Sequence, residues 1–216
     1  MLMILEKERS QVVAYGKKLV TSGLTKGTGG NLSVYDRKNQ LMAISPSGMD
    51  YFESRPEDVV VMKLSGEIVD GVKTPSSEVD LHRIFYQKRE DLDAIIHAHT
   101  TFATTLACLH RELPPFHYLV ALSGKNVRCA PYATFGTMEL AQNAFEAMKD
   151  RKAVFLANHG MLAGAKDLMN AFNIVDEIEY CAEIYYRACC IGDPVILPDE
   201  EMSLMLEKFK TYGQRK

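Results

Sequence analysis

The chain has 216 residues, 47% hydrophobic and 25% charged, ordinary for a globular fold with a substantial core. A net charge of −3 without any Lys/Arg block argues against a nucleic-acid partner or an anionic membrane surface. No apolar run nears the roughly 18 residues of a membrane span, and the five cysteines contain no CxxC pair, a pattern expected of reduced thiols in a cytoplasm.

The opening apolar run, Met1–Leu5, is too short for a signal peptide, and Glu6 follows at once. Residues 6–22 read as an amphipathic helix carrying Val12, Val13, Leu19 and Val20, with Gly23 to close it. After Gly27-Thr28-Gly29-Gly30-Asn31, a hairpin is predicted with strands Leu32–Tyr35 and Gln40–Ile44 around a polar turn at Asp36–Asn39. The loop Ser45-Pro46-Ser47-Gly48 leads toward an apolar strand at Val59–Met62. Ser77–Lys88 reads as a helix, 94–99 as a buried strand and Phe102–His110 as a second helix. A short strand around Val127–Ala130, a helix at 138–149 and a strand at Ala153–Leu156 come next, and helices near 167–190 and 199–210 finish the chain. With no linker or repeat, residues 1–216 are expected to form a single domain, a mixed sheet covered by helices.

Ile95-Ile96-His97-Ala98-His99 carries the strongest chemical signal. Side chains at i and i+2 of a strand share a face, so both imidazoles point to one place, as two ligands of a divalent metal must. Taken alone, the pair fits a packed strand residue and its neighbour equally well. His159 shifts that balance, because Leu156-Ala157-Asn158-His159-Gly160 is another apolar strand ending in a glycine turn. Three neutral imidazoles form the open ligand set of catalytic zinc. His82, His110 and His117 lie in helical or proline-flanked settings and read as structural.

Glu78, within Thr74-Pro75-Ser76-Ser77-Glu78-Val79-Asp80, is the candidate fourth ligand or base. Ser77 with Asp80 also makes a helix-capping pattern, and a glutamate in a first turn suits the helix dipole. The two readings coexist, since a helix start with serine hydroxyls can also cradle a phosphate. The glycine loop at 27–31 follows a helix and precedes a strand, the wrong order for a dinucleotide or Walker fold. No Ser-His-Asp grouping and no lysine in an apolar setting stands out, which favours metal-assisted carbanion chemistry over a Schiff base.

Taken together these segments resemble the class II aldolase/adducin family. The Gly-Thr-Gly-Gly-Asn, Ser-Pro-Ser-Gly, Pro-Ser-Ser-Glu, His-Ala-His and Asn-His-Gly segments all match, as do Cys129–Thr137 and Glu207–Gly213, nearly end to end. Ala130–Thr137 and the Lys208–Gly213 tail are more particular to the fuculose-phosphate type. The resemblance implies a three-layer α/β/α fold around a mixed, largely antiparallel sheet. It implies a zinc enzyme, with Mn2+ or Co2+ as substitutes, that reversibly cleaves a ketose 1-phosphate. L-Fuculose 1-phosphate would give dihydroxyacetone phosphate and L-lactaldehyde; a 5-deoxyribulose 1-phosphate aldolase is the nearest alternative.

By the same resemblance His97, His99 and His159 hold the metal and Glu78 ligates it at rest. Gly30, Asn31, Ser47, Gly48, Ser76 and Ser77 would hold the phosphate. The family implies a homotetramer with active sites at subunit interfaces, where Tyr118 reaches in from a neighbour as a catalytic residue. Phe135, and Phe209 and Tyr212 of the tail, would line the site. Ribulose-phosphate 4-epimerases of this superfamily look to an aspartate after the His-x-His strand, and here none lies between Asp93 and Asp150. A methylthioribulose-1-phosphate dehydratase is a further superfamily alternative. A non-catalytic scaffold like the adducin head is the non-enzyme one, although all four ligand positions are present here.

Overall fold

A computed structural model describes residues 3–213, so Met1 and Leu2 of the opening apolar run lie outside the described residues. Its centre is one eight-stranded sheet: β1 Asn31–Asp36, β2 Leu41–Ile44, β3 Val60–Lys63, β4 Ile68–Asp70, β5 Ala94–Ala98, β6 Cys129–Ala130, β7 Ala153–Leu156 and β8 Gly160–Ala165. The strand order is β4-β3-β2-β1-β5-β8-β7-β6. Every pairing is antiparallel except β6 with β7, so the sheet is mixed and largely antiparallel, as expected.

Helices cover both faces. The first face carries α1 Glu6–Thr21, α3 Thr101–Cys108, α5 Leu168–Ile191 and α6 Asp199–Phe209. The second carries α2 Val79–Lys88 and α4 Met138–Ala147. Strand alternation divides the core between them. On β5, Ala94, Ile96 and Ala98 join the first core, whereas Ile95 joins Leu81 and Phe85 of α2 in the second. His97, two residues from Ile95, therefore faces α2. Asn31, Ser33 and Tyr35 of β1 share that face, and Asn31 stands directly opposite His97 in the ladder.

Several expected boundaries move. α2 begins at Val79, not Ser77, and the Ser77/Asp80 cap does not form: the helix is preceded by Glu78 with no side-chain cap. Instead the Glu78 N–H donates to Ser76 Oγ at 3.2 Å, and Asp80 pairs with Arg83. Pulling Glu78 into the turn before the helix aims its carboxylate at the sheet. β5 ends at Ala98, leaving His99 one residue past the strand. α3 stops at Cys108, because His110 takes a left-handed φ of 53° that ends the helix. Val127 pairs as a lone bridge with Leu113, and the strand proper is only Cys129–Ala130. The short edge strand β4 and the fully buried β8 were not expected. The sequence of β8, Gly-Met-Leu-Ala-Gly-Ala, has low β-propensity and no alternation because it is covered on both sides.

Phe155 sits at the centre of β7 and is completely buried in the first core. Phe155→Ala should destabilise the fold by about 3–5 kcal/mol, read as a lower urea midpoint at unchanged slope.

Candidate metal centre

Three strand ends and one helix start meet on the α2 side of the sheet. His97 lies within β5 and His99 just after it, so their alternation puts both rings on one side. His159 comes from the turn between β7 and β8, where Leu156 pairs with Gly160. Asn158, at a φ of 53°, makes that turn; its backbone N–H donates to Ala107 O, and its side-chain oxygen accepts from His110 Nε2 at 2.6 Å. His110, read from sequence as structural, thus pins the loop that presents His159.

The ligand nitrogens of the three imidazoles lie within 4.8 Å of one another. His97 Nε2 and His99 Nε2 are 3.0 Å apart. Glu78 closes the group, with Oε2 at 3.3 Å from His97 Nε2 and Oε1 at 3.5 Å from His159 Nε2. His97 is fully buried, His159 half-buried and His99 exposed toward the opening.

Protonation explains why such a cluster calls for a cation. Burial, then the neighbouring His159 and His99, holds His97 well below the ordinary histidine range. His99 is also lowered, chiefly by burial and then by His159. His97 Nδ1–H donates to Met161 O at 2.9 Å, which fixes the tautomer and leaves Nε2 as a bare lone pair aimed at the cluster. Glu78 Oε1 is a buried oxygen with no hydrogen-bond donor. His97 Nε2 and a Glu78 oxygen bring lone pairs to one point, and imidazole and carboxylate are donors that zinc accepts readily. The residues fit a divalent metal.

Two glycines are required by close approach. A Cβ on Gly160 would lie 2.6 Å from Ala98 O and 3.3 Å from His97 Cε1. A Cβ on Gly30, itself at φ +76°, would lie 2.5 Å from His97 O.

The Ser45–Gly48 and Thr74–Ser77 segments lie against each other. Pro46 bridges Pro75, Ser47 N–H donates to Thr74 O, and Ser76 N–H donates to Ser45 O. Ser77 is exposed and lies against Gly136 of the loop that carries Phe135. Ser47 and Gly48 are exposed too, but they line a separate hollow with Asp50, Glu53 and Lys73. The Asn31 carboxamide is engaged by Glu78 and His82. An open pocket of about 300 Å³ over the cluster is lined by Glu78, His99, Tyr132, Ala133, Phe135, Asn158 and His159. Tyr132 was not singled out from sequence, and nothing but its place beside Phe135 pointed to it.

Tyr118, Phe209 and Tyr212 lie elsewhere in the chain. Tyr118 stacks on Phe209 with centroids 6.2 Å apart, and Phe209 meets Tyr212 edge-on at 6.1 Å. Phe209 borders a cleft with Asp91, Lys152 and Lys166, at the end of β5 and β8 remote from His97. None of the three lines its own chain's metal pocket.

Fold and site together define the class: the chain belongs to the class II aldolase and adducin N-terminal domain family, whose profile matches residues 10–186. It is 55% identical over 213 residues to the 5-deoxy-D-ribulose 1-phosphate aldolase of Bacillus thuringiensis serovar kurstaki, across 99% of this chain and 100% of that one. It is 40% identical over 207 residues to the L-fuculose phosphate aldolase of Escherichia coli, across 95% of each. A solved structure of an L-fuculose 1-phosphate aldolase matches with a TM-score of 0.93 at 62% identity, covering 94% of this chain and 96% of that one.

His82, buried beside this centre, is pushed down to about 3 by burial and then by His97, with Glu78 opposing. An unfolded histidine titrates near 6.5, so between about pH 6.5 and about pH 3 the unfolded chain binds the proton that the folded one refuses. Stability of the metal-free protein should therefore fall as pH drops through that window, by up to about 1.4 kcal/mol per pH unit for this one ring. Urea titrations at stepped pH check this, and His82→Gln should flatten the slope by one proton.

Proposed function

We propose that this chain is a metal-dependent aldehyde-lyase that reversibly cleaves a deoxy-ketose 1-phosphate into dihydroxyacetone phosphate and a small aldehyde, working as one domain over residues 1–216. The observation that carries this reading is the convergence of His97, His99, His159 and Glu78 on one point, with Glu78 Oε1 left without a donor. L-Fuculose 1-phosphate, giving L-lactaldehyde, is the substrate favoured by the Ala130–Thr137 and tail motifs and by the name of the 62%-identical structure. 5-Deoxyribulose 1-phosphate is the second reading, favoured by the name of the 55%-identical relative. Both break the same C3–C4 bond.

His97, His99 and His159 would hold zinc, or Mn2+ or Co2+ in its place. A bound cation supplies Lewis-acid stabilisation of the negative charge that cleavage leaves on the dihydroxyacetone phosphate half, typically several kcal/mol. Glu78 would also ligate the metal at rest and move the C3 proton, a role supported by its donor-free oxygen 3.5 Å from His159 Nε2. Gly30, Asn31, Ser47, Gly48, Ser76 and Ser77 would hold the phosphate, with Asn31 contributing through its backbone. Tyr118 would exchange a proton with the C4 oxygen of a substrate bound to a neighbouring subunit. Its 48% exposure, and its absence from its own chain's pocket, support a role between subunits of a homotetramer. Phe135, 65% exposed at the pocket rim, would line the aldehyde side, with Phe209 and Tyr212 entering beside Tyr118. Among the described residues no helix is long and apolar enough to cross a membrane. The five cysteines are all unpaired, which supports a cytoplasmic setting.

A cleavage assay tests the reading directly. It sets L-fuculose 1-phosphate against 5-deoxyribulose 1-phosphate, L-rhamnulose 1-phosphate and L-ribulose 5-phosphate. A tenfold preference, about 1.4 kcal/mol, decides the substrate, and cleavage of none overturns the lyase reading in favour of a scaffold. Chelation should abolish activity and leave the fold intact; unfolding on metal removal would mark a structural site instead. Glu78→Gln should lower C3 proton exchange by on the order of 10²- to 10⁴-fold even when assayed with zinc in excess, so that the three histidines stay loaded. Tyr118→Phe should slow cleavage far more than exchange, and equal slowing of both would remove it from the proton path.

A further inference from the structure

Two polar stripes cross the second core where apolar residues would otherwise pack. Glu78, in the turn that opens α2, and His82 and Tyr86 on α2 recur every fourth residue and so line one side of the helix. On β1, Asn31 and Ser33 alternate onto the face that meets it. Ser33 and His82 are fully buried, and Tyr86, Asn31 and Glu78 nearly so.

Hydrogen bonds join the stripes in one row. Tyr86 OH lies 2.6 Å from Ser33 Oγ, and Ser33 Oγ lies 2.7 Å from His82 Nδ1. His82 Nε2 lies 2.5 Å from Asn31 Oδ1, and Asn31 Nδ2 lies 2.9 Å from Glu78 Oε2.

The direction of the row is fixed at the Glu78 end. A carboxylate only accepts, so Asn31 must turn its N–H toward Oε2 and its carbonyl toward His82. His82 must then carry its proton on Nε2, which leaves Nδ1 to accept from the Ser33 hydroxyl. Ser33 Oγ accepts in turn from Tyr86. Reversing any member would set two acceptors or two donors face to face in a buried setting, which costs the desolvation of each without a bond in return.

We infer that Tyr86, Ser33 and His82 form a one-way relay that locks the Asn31 carboxamide and, through it, the orientation of the Glu78 carboxylate. Oε2 is tied to Asn31, so Oε1 is the oxygen left facing His159 and the pocket. The three are positioning residues, and none lines the pocket over the cluster. The fold alone does not require them, because apolar groups of matching shape can replace a fully buried hydrogen-bonded pair almost neutrally. This inference rests on the proposed function only in the role it gives Glu78.

The first test needs neither metal nor substrate. In metal-free, 15N-labelled protein, the His82 nitrogen resonances should show a neutral ring with the proton on Nε2; a proton on Nδ1 overturns the relay. The second reads zinc affinity by competition with a chromogenic chelator, with circular dichroism to confirm folding. His82→Leu should weaken zinc by on the order of 10- to 100-fold. His82→Gln, whose amide can still donate to Asn31, should stay within a few-fold of the parent. Equal losses in both variants, or a loss in neither, overturn the inference. If His82→Leu does not fold, Ser33→Ala serves: it removes the donor to Nδ1 and loosens the ring, so zinc binding should weaken, and unchanged zinc affinity in a folded Ser33→Ala overturns the inference. A parent protein that shows the Nε2 tautomer yet binds no zinc defeats the metal assignment above, and this role with it.

Discussion

Three imidazoles and a carboxylate converge at the strand ends around β5 and β8, on one face of the sheet, and the surrounding structure holds them there. His97 is stripped of water and tied through Nδ1 to Met161, so its free nitrogen can only accept. Glu78 adds a carboxylate oxygen that finds no donor. A rigid ladder, a pinned turn and a helix start hold the four side chains together, and the site is thereby prepared for a cation before one arrives.

The sheet supplies most of that rigidity. β5 is flanked by β1 and β8, so His97 stands between Asn31 and Leu162 with both backbone edges paired. Gly30 and Gly160 let the flanking chains approach β5 more closely than any side chain would permit. α2 adds the carboxylate from above, and the buried row of polar contacts behind Glu78 sets which of its oxygens is available. The metal pocket itself is open and lined by two exposed aromatics, Tyr132 and Phe135. This rim is where the aldehyde half of a substrate would be judged. The two candidate aldehydes differ by one CHOH group. A rim that hydrogen-bonds that hydroxyl can reject the analogue lacking it strongly, whereas apolar contact alone discriminates by one to two orders of magnitude.

Much of the site was legible because its parts are local patterns. A His-x-His pair in an apolar run is ambiguous alone, and an Asn-His-Gly turn elsewhere in the chain tips it toward a metal set. The Ser-Ser-Glu segment is legible both as a helix cap and as a candidate ligand, since a capping pattern and a carboxylate aimed away from its own helix look alike in one dimension; in the structure the cap does not form. β8 escaped notice because burial on both faces erases alternation. His82 was set aside as a helical histidine. The four-residue spacing of Glu78, His82 and Tyr86 was visible, but its meaning depends on β1 lying opposite.

The sequence by itself determined which residues could ligate a metal, the order of helices and strands, and the family to which the chain belongs. Each of these follows from short-range periodicity or from residue type at fixed spacing. Only the tertiary structure decided that Glu78 leaves its helix to join three imidazoles, that Asn31 serves the carboxylate with its side chain, and that Tyr118 stands apart from its own pocket. Those outcomes depend on strand register and on helix placement across a sheet. They join residues up to 81 positions apart, from Glu78 to His159, and no local pattern carries that information.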